Sequence, residues 1–219
     1  MAFVIEGGGL HTVEKLLLEQ FPNAITRART ISLNDTARFA LKRGAEEMRR
    51  QLRFPAGYLD DPKRFLISRF ASDNSPTAIV SGRLRATSLA RFAAPGQTPE
   101  STGFQPRTAA IDQPGTIVNV GNKGPKRMRS AFLIRLKRGK SFDQDNFNLG
   151  IAVRIKNGQA PTYLNKYKFE VGRDSSLYVL YGPSVAQAFD IVAPSIAQEI
   201  TSKLDYEFQR QLNVQLGKA

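Results

Sequence analysis

Leu180-Tyr181-Gly182-Pro183-Ser184-Val185-Ala186-Gln187-Ala188-Phe189 reads as a strand that stops at a Gly-Pro turn and restarts as a helix. Gly182 offers backbone freedom, Pro183 fixes φ, and Ser184 can accept a hydrogen bond from the first free helical N–H groups. Beyond it Val185, Phe189, Val192, Ile196, Ile200, Leu204, Phe208 and Leu212 recur every three or four residues, the spacing of a long amphipathic helix. Pro194 predicts a kink or a split within that helix.

Working back toward the N-terminus, the runs before this junction have the period of strands. Thr116–Val120, Ala131–Leu136, Leu149–Ile155, Tyr163–Val171 and Leu177–Tyr181 are β-like, and Asn157-Gly158 is a hairpin signal. Arg64–Phe70 and Thr77–Ser81 are two further strands, joined by Ser72-Asp73-Asn74-Ser75-Pro76. Thr87–Phe92 is ambiguous between a helical turn and an extended segment. Residues 94–115, rich in Pro, Gly, Thr and Gln, read as a long loop or arm.

Helices open the chain. Val13, Leu16, Leu17 and Phe21 predict a short helix over 10–20, and Pro22 reads as the first-turn proline of a second. Leu33, Ala37, Leu41, Ala45, Met48 and Leu52 carry that second helix from Ala24 to Arg53, where Phe54-Pro55 ends it. Strands bracketed by helices, without βα alternation, indicate an α+β fold. The expectation is a single domain over 1–219: two N-terminal helices, a mostly antiparallel sheet or sandwich with an inserted arm at 94–115, and a long C-terminal helix.

Composition narrows the function. With 219 residues, 41% hydrophobic and 23% charged, the chain is an ordinary globular sequence long enough for one good core or two small ones. It has no Cys, which removes disulfides, thiolate catalysis and cysteine metal sites. Its single His, His11, argues against a zinc site or a His-based triad. No run approaches a membrane span and no export signal opens the chain, so the expectation is a soluble protein without a membrane partner.

Chemistry-bearing clusters are few. Gly7-Gly8-Gly9 lacks the Lys-Ser/Thr ending of a P-loop and reads as a flexible joint. Asp60-Asp61 reads as a turn or helix start and Asp143-Asp145 as a loop between strands, rather than as metal ligands; the second lacks the Gly and the terminal Glu of a calcium loop. No GxSxG elbow is present. The sequence therefore points to no enzyme, no cofactor and no metal.

Charge is the remaining signal. The net charge is +13, but residues 25–140 hold 23 Lys and Arg against 8 Asp and Glu, while residues 141–219 balance. Lys123, Lys126, Arg127, Arg129, Arg135, Lys137, Arg138 and Lys140 lie within eighteen residues that contain no carboxylate. Arg135 and Lys137 alternate with Leu133, Ile134 and Leu136 as in a strand, so several of the eight could share one face, as candidate contacts to DNA or to an acidic partner. Only Phe132 and Phe142 are aromatic nearby, too few for a base-stacking platform, so phosphate contact without sequence reading fits better.

An ordered set of these features resembles bacteriophage minor tail protein Z and its relatives, the tail completion proteins. The features are the helix Asn34-Asp35-Thr36-Ala37-Arg38 through Arg49-Arg50-Gln51-Leu52, then Thr87–Phe92 and Ala131–Ile134. Tyr181-Gly182-Pro183-Ser184-Val185 and a helix ending Glu207-Phe208-Gln209-Arg210-Gln211-Leu212 complete it. The resemblance implies a virion structural protein at the head-proximal end of the tail, joining tail to head. It implies a homo-oligomeric ring, a hexamer being one candidate, around the channel for genomic DNA, with other neck and tail proteins as partners. This chain departs from the best-known member in having a less arginine-rich middle and a long Pro/Thr/Gln arm. The alternative is a stand-alone, sequence-nonspecific DNA-binding protein.

Overall fold

The computed structural model describes residues 2–6, 21–55, 57–102, 115–121, 123–136, 148–156, 168–170 and 175–217. The expected helix over 10–20, Gly7-Gly8-Gly9, His11, the Asn157-Gly158 turn and Asp143-Asp145 lie outside them. In chain order the elements are β1 (Ala2–Glu6), α1 (Pro22–Leu52), β2 (Phe65–Arg69), β3 (Thr77–Gly82), β4 (Ala86–Ser88), a 3-10 turn (Leu89–Phe92) and β5 (Thr116–Val118). They continue with β6 (Lys126–Met128), β7 (Ala131–Leu136), β8 (Asn148–Lys156), β9 (Lys168–Glu170), β10 (Ser175–Ser184) and α2 (Val185–Leu216). Helices and antiparallel sheets together make the chain α+β, as its pattern predicts. The backbone divides into two compact units. One comprises Met1–Gln51, Ala56–Arg85 and Ser184–Ala219; the other comprises Leu52–Pro55 and Ala86–Pro183.

The first unit packs both long helices with a three-stranded antiparallel sheet ordered β1-β3-β2. Pro22 opens α1, where its missing N–H costs nothing. Leu33, Ala37, Ala40 and Met48 are fully buried along one side of the helix. The helix ends at Arg53, whose φ of 54° is the left-handed conformation that breaks the ladder. The N-terminal half of α1 is tied to the end of β2: the Asn34 amide donates to the Ala71 carbonyl at 3.0 Å and accepts from the Ala71 N–H at 2.8 Å. Thr30 donates to Asp73 at 2.8 Å one turn earlier.

Three aromatic and glycine contacts then fix the spacing of the layers. Phe189 of α2 and Phe65 of β2 meet edge to face at 4.9 Å between centroids. A side-chain carbon at Gly44 would stand 2.6 Å from the Phe189 ring, so α1 meets that ring only because position 44 has none. Gly82 of β3 is similarly tight, and there the obstacle is backbone: a Cβ would lie 2.7 Å from the Ala186 nitrogen. Helix α2 buries Val185, Phe189, Val192, Ile196 and Ile200, each contributing about 1.5–3 kcal/mol of transfer free energy.

Ser184 caps α2 as its type predicts, and more completely. Its hydroxyl accepts from the Gln187 N–H at 3.1 Å while the Gln187 side chain accepts from the Ser184 N–H at 3.0 Å, a reciprocal capping box. The expected Gly-Pro turn, however, does not form. Strand β10 continues through Gly182 and Pro183 to Ser184 without a break. Gly182 is there for space: a Cβ would sit 3.3 Å from the Phe92 ring, within the second unit. Of the kink or split expected at Pro194, the split is absent, because α2 is continuous from Val185 to Leu216 with the proline inside it.

Charged pairs bind the helices of the first unit. Arg43 of α1 forks onto Glu199 of α2 at 3.0 and 3.1 Å and reaches Glu46 at 2.7 Å. Glu47 is buried and holds Arg50 and Gln51. Those hydrogen bonds, Arg50 first, lower its pKa to about 2.

The second unit is built on an antiparallel sheet ordered β4-β10-β8-β7, with β9 also paired to β10. Register sets its two faces by strict alternation. Phe132 and Ile134 of β7 share a face with Ala152 of β8 and Leu177 and Val179 of β10. Ala131, Leu133 and Ile151 form the other face, against Val118, Leu89, Ala90 and Met128. Residues 94–102 form the described start of the expected arm, and they fold onto this unit. The Ala94 N–H donates to the Ile117 carbonyl at 2.9 Å, and the Gln97 amide bonds both the N–H and the carbonyl of Ile117 at 2.8 Å. Thr102 is buried and accepts from the Leu133 N–H at 3.0 Å. Residues 103–114 lie outside the described ones.

Two outcomes test this account. Arg53→Gly should raise stability by about 0.5–1 kcal/mol, because glycine occupies the left-handed region without a Cβ penalty; urea melts of the two proteins measure it. The depressed Glu47 pKa gives stability that is complete above the unfolded carboxylate value of 4.5 and is lost as pH falls through about 2. Glu47→Gln should flatten that part of the stability–pH curve, as thermal melts across the acid range would show.

Candidate nucleic-acid interface

The basic cluster is carried by a short ribbon of the second unit. Strand β5 pairs with β6 in antiparallel register, with Thr116 opposite Met128, Ile117 opposite Arg127 and Val118 opposite Lys126. Alternation sends Thr116, Val118 and Met128 toward the core, where the first two are buried and Met128 packs beside Ala131 and Leu133. Arg127 therefore leaves from the opposite face. Lys126 shares the inward face by register yet is exposed, because it stands where the ribbon ends.

Lys123 precedes the ribbon and Arg129 follows it in the turn to β7, and both are exposed. These four cations thus rim a ribbon on both sides and at its end rather than sharing one strand face. The shared face expected of Arg135 and Lys137 concerns β7, and Lys137 lies outside the described residues. Arg135 continues the face of Leu133 on β7 and is not a free charge. It pairs with Glu100 at 3.0 Å, and Glu100 has a lowered pKa from local hydrogen bonds to its own backbone and to Thr98, with Arg135 a lesser cause. Lys137, Arg138 and Lys140 lie outside the described residues.

Among the described residues, Lys123, Lys126, Arg127 and Arg129 make no ion pair. Carboxylates elsewhere are engaged: Asp60 holds Arg49, Asp61 holds Arg64 at 3.2 Å, and Glu207 holds Lys203 and Arg210. The reading of Asp60-Asp61 as a turn agrees with this geometry, since the Asp61 carboxylate also accepts from the Lys63 N–H at 2.9 Å. Glu100, which the sequence does not single out, is the acid that enters the basic region, across a separation of thirty-five residues.

No group of three or more His, Cys, Asp or Glu gathers among the described residues. No described helix is long and apolar enough to cross a membrane. What the ribbon can do chemically is present four solvated cations at low desolvation cost to an anionic surface. Comparison with known proteins finds no matching family model, no matching curated protein and no matching solved structure.

If the ribbon contacts phosphates with all four cations, log K against log salt should slope by about −3.6 from these residues alone, roughly a hundredfold loss of affinity between 50 and 200 mM. Replacing Lys123, Lys126, Arg127 and Arg129 together by Gln should remove that slope and leave the melting temperature within a few degrees, measured by fluorescence titration on a DNA duplex.

Proposed function

We propose that this chain is a structural component of a tailed-phage virion, a tail completion or neck protein similar to minor tail protein Z. In this reading it assembles as a ring at the head-proximal end of the tail and joins tail to head around the DNA channel, without catalysis. The observation that carries the reading is the exposed, carboxylate-free ribbon at Lys123–Arg129, in a chain whose ordered features resemble that family. Such a ribbon suits a passing polyanion: four hydrated charges attract phosphate at long range, and aromatics are sparse near them in sequence, which favours phosphate contact over base stacking.

The second reading, a stand-alone DNA-binding protein, draws on the same cations. Affinity of the free chain separates the two. A stand-alone binder should hold duplex DNA tightly at physiological salt, whereas a channel component should bind weakly until its subunits gather.

Gold-labelled antibody against the chain, applied to purified particles of the phage that encodes it, tests the station. Label at the junction of head and tail is the expected result. Absence of the chain from the finished particle would overturn the proposal.

A further inference from the structure

Two strand edges of the second unit are closed by side chains rather than by a neighbouring strand. On β7 the Leu133 N–H donates to the Thr102 hydroxyl at 3.0 Å, and the Ala131 carbonyl accepts from the Thr116 hydroxyl at 3.1 Å. Alternation therefore turns the N–H groups of Phe132 and Ile134 toward β8. On β5 the Ile117 N–H donates to the Gln97 side-chain oxygen at 2.8 Å, and the Ile117 carbonyl accepts from the Gln97 side-chain nitrogen at 2.8 Å. A primary amide carries the donor and the acceptor of a peptide group, so Gln97 stands in for a residue of a paired strand.

Gln97 and Thr102 belong to one segment, residues 94–102, which lies across both edges. The Ala94 N–H joins Gln97 on the Ile117 carbonyl at 2.9 Å. Thr98 and Ser101 exchange hydrogen bonds of 2.8 and 3.1 Å and close a turn. The Thr102 hydroxyl donates to the Thr98 carbonyl at 3.0 Å, which leaves its lone pairs for the Leu133 N–H. At the far end of β7, Glu100 meets Arg135 at 3.0 Å.

This hold is directional but shallow. Of the nine residues only Thr102 is buried, and Pro95, Gly96, Thr98, Glu100 and Ser101 are exposed. The Glu100–Arg135 pair is exposed on both sides, so water and salt screen it. Few buried apolar contacts and a handful of polar bonds characterise a segment that opens while the strands beneath it stay folded.

We propose that residues 94–102 are a displaceable guard over the edges of β5 and β7, and that it holds the free chain apart from a second copy of itself. Closed, it satisfies the outward backbone groups of Ile117 and Leu133 with side chains that cannot propagate a sheet. Lifted, it exposes those groups, and the same edges of another copy pair with them. Edge pairing is made by backbone and carries little side-chain selectivity, so the identical chain is the partner the guard excludes. The assignment does not depend on a role in a virion.

Hydrogen exchange by NMR and sedimentation velocity over a wide concentration range, both on the full chain, test it. In the natural sequence the amides of Ile117 and Leu133 should exchange at least tenfold faster than those of Phe132 and Ile134. Gln97→Leu combined with Thr102→Val should associate at a concentration at least tenfold lower than the natural chain. Exchange at Ile117 and Leu133 in that variant should slow as concentration rises. Thr102→Ser, which keeps the hydroxyl, should behave as the natural chain does. Equal protection of the four amides would overturn the proposal, as would association indifferent to the double variant or association that leaves exchange at Ile117 and Leu133 unchanged. If the double variant does not fold, the exchange contrast in the natural chain decides.

Discussion

The closest approaches in the first unit are made at two glycines, and its layer spacing depends on them. Gly82 lets β3 run against the opening turn of α2 at a separation that no side chain would permit, with backbone atoms as the obstacle. Gly44 lets α1 close onto the Phe189 ring, which in turn stands edge-on to Phe65 of β2. Backbone atoms set the approach at Gly82, and the Phe189 ring sets it at Gly44. The Arg43–Glu199 fork and the Asn34–Ala71 amide pair add directional bonds to that non-directional apolar packing.

Much of this architecture is legible in the residues. Helix α1 is expected from Ala24 to Arg53 and runs from Pro22 to Leu52, because a proline start and a Phe54-Pro55 stop are local signals. Strand β7 runs from Ala131 to Leu136, the span its apolar residues mark out. Strand β1 is not foreseen, since its partner β3 lies some seventy residues away and five residues carry too little periodicity. Strand β6 is not foreseen, because Lys126-Arg127-Met128 has no apolar alternation; it is extended by its pairing with β5. Gly182-Pro183 misleads for a different reason: composition signals a turn, whereas the strand end tolerates proline and the glycine sits in tight contact with the Phe92 ring.

The candidate sites divide in the same way. The unpaired cations of the ribbon are visible in advance, because a stretch without acids cannot neutralise itself locally. Their distribution around the ribbon is not visible, because it depends on which strand residue faces Thr116 and Val118. An open cavity of about 570 Å³ in the first unit is invisible to any local reading, because its walls come from two separate elements, α1 and the 59–70 segment.

Pro194 bears on how α2 behaves in time. The helix continues through it, yet the proline has no N–H to offer the Asp190 carbonyl, and the Ser195 hydroxyl donates to the Val192 carbonyl at 2.7 Å instead. The ladder of amide bonds is thus thinned within three turns of the capped end. Amide hydrogens just beyond Pro194 should therefore exchange with solvent through smaller openings than those around Ile200, which would make this turn a seam where fraying can begin away from either terminus.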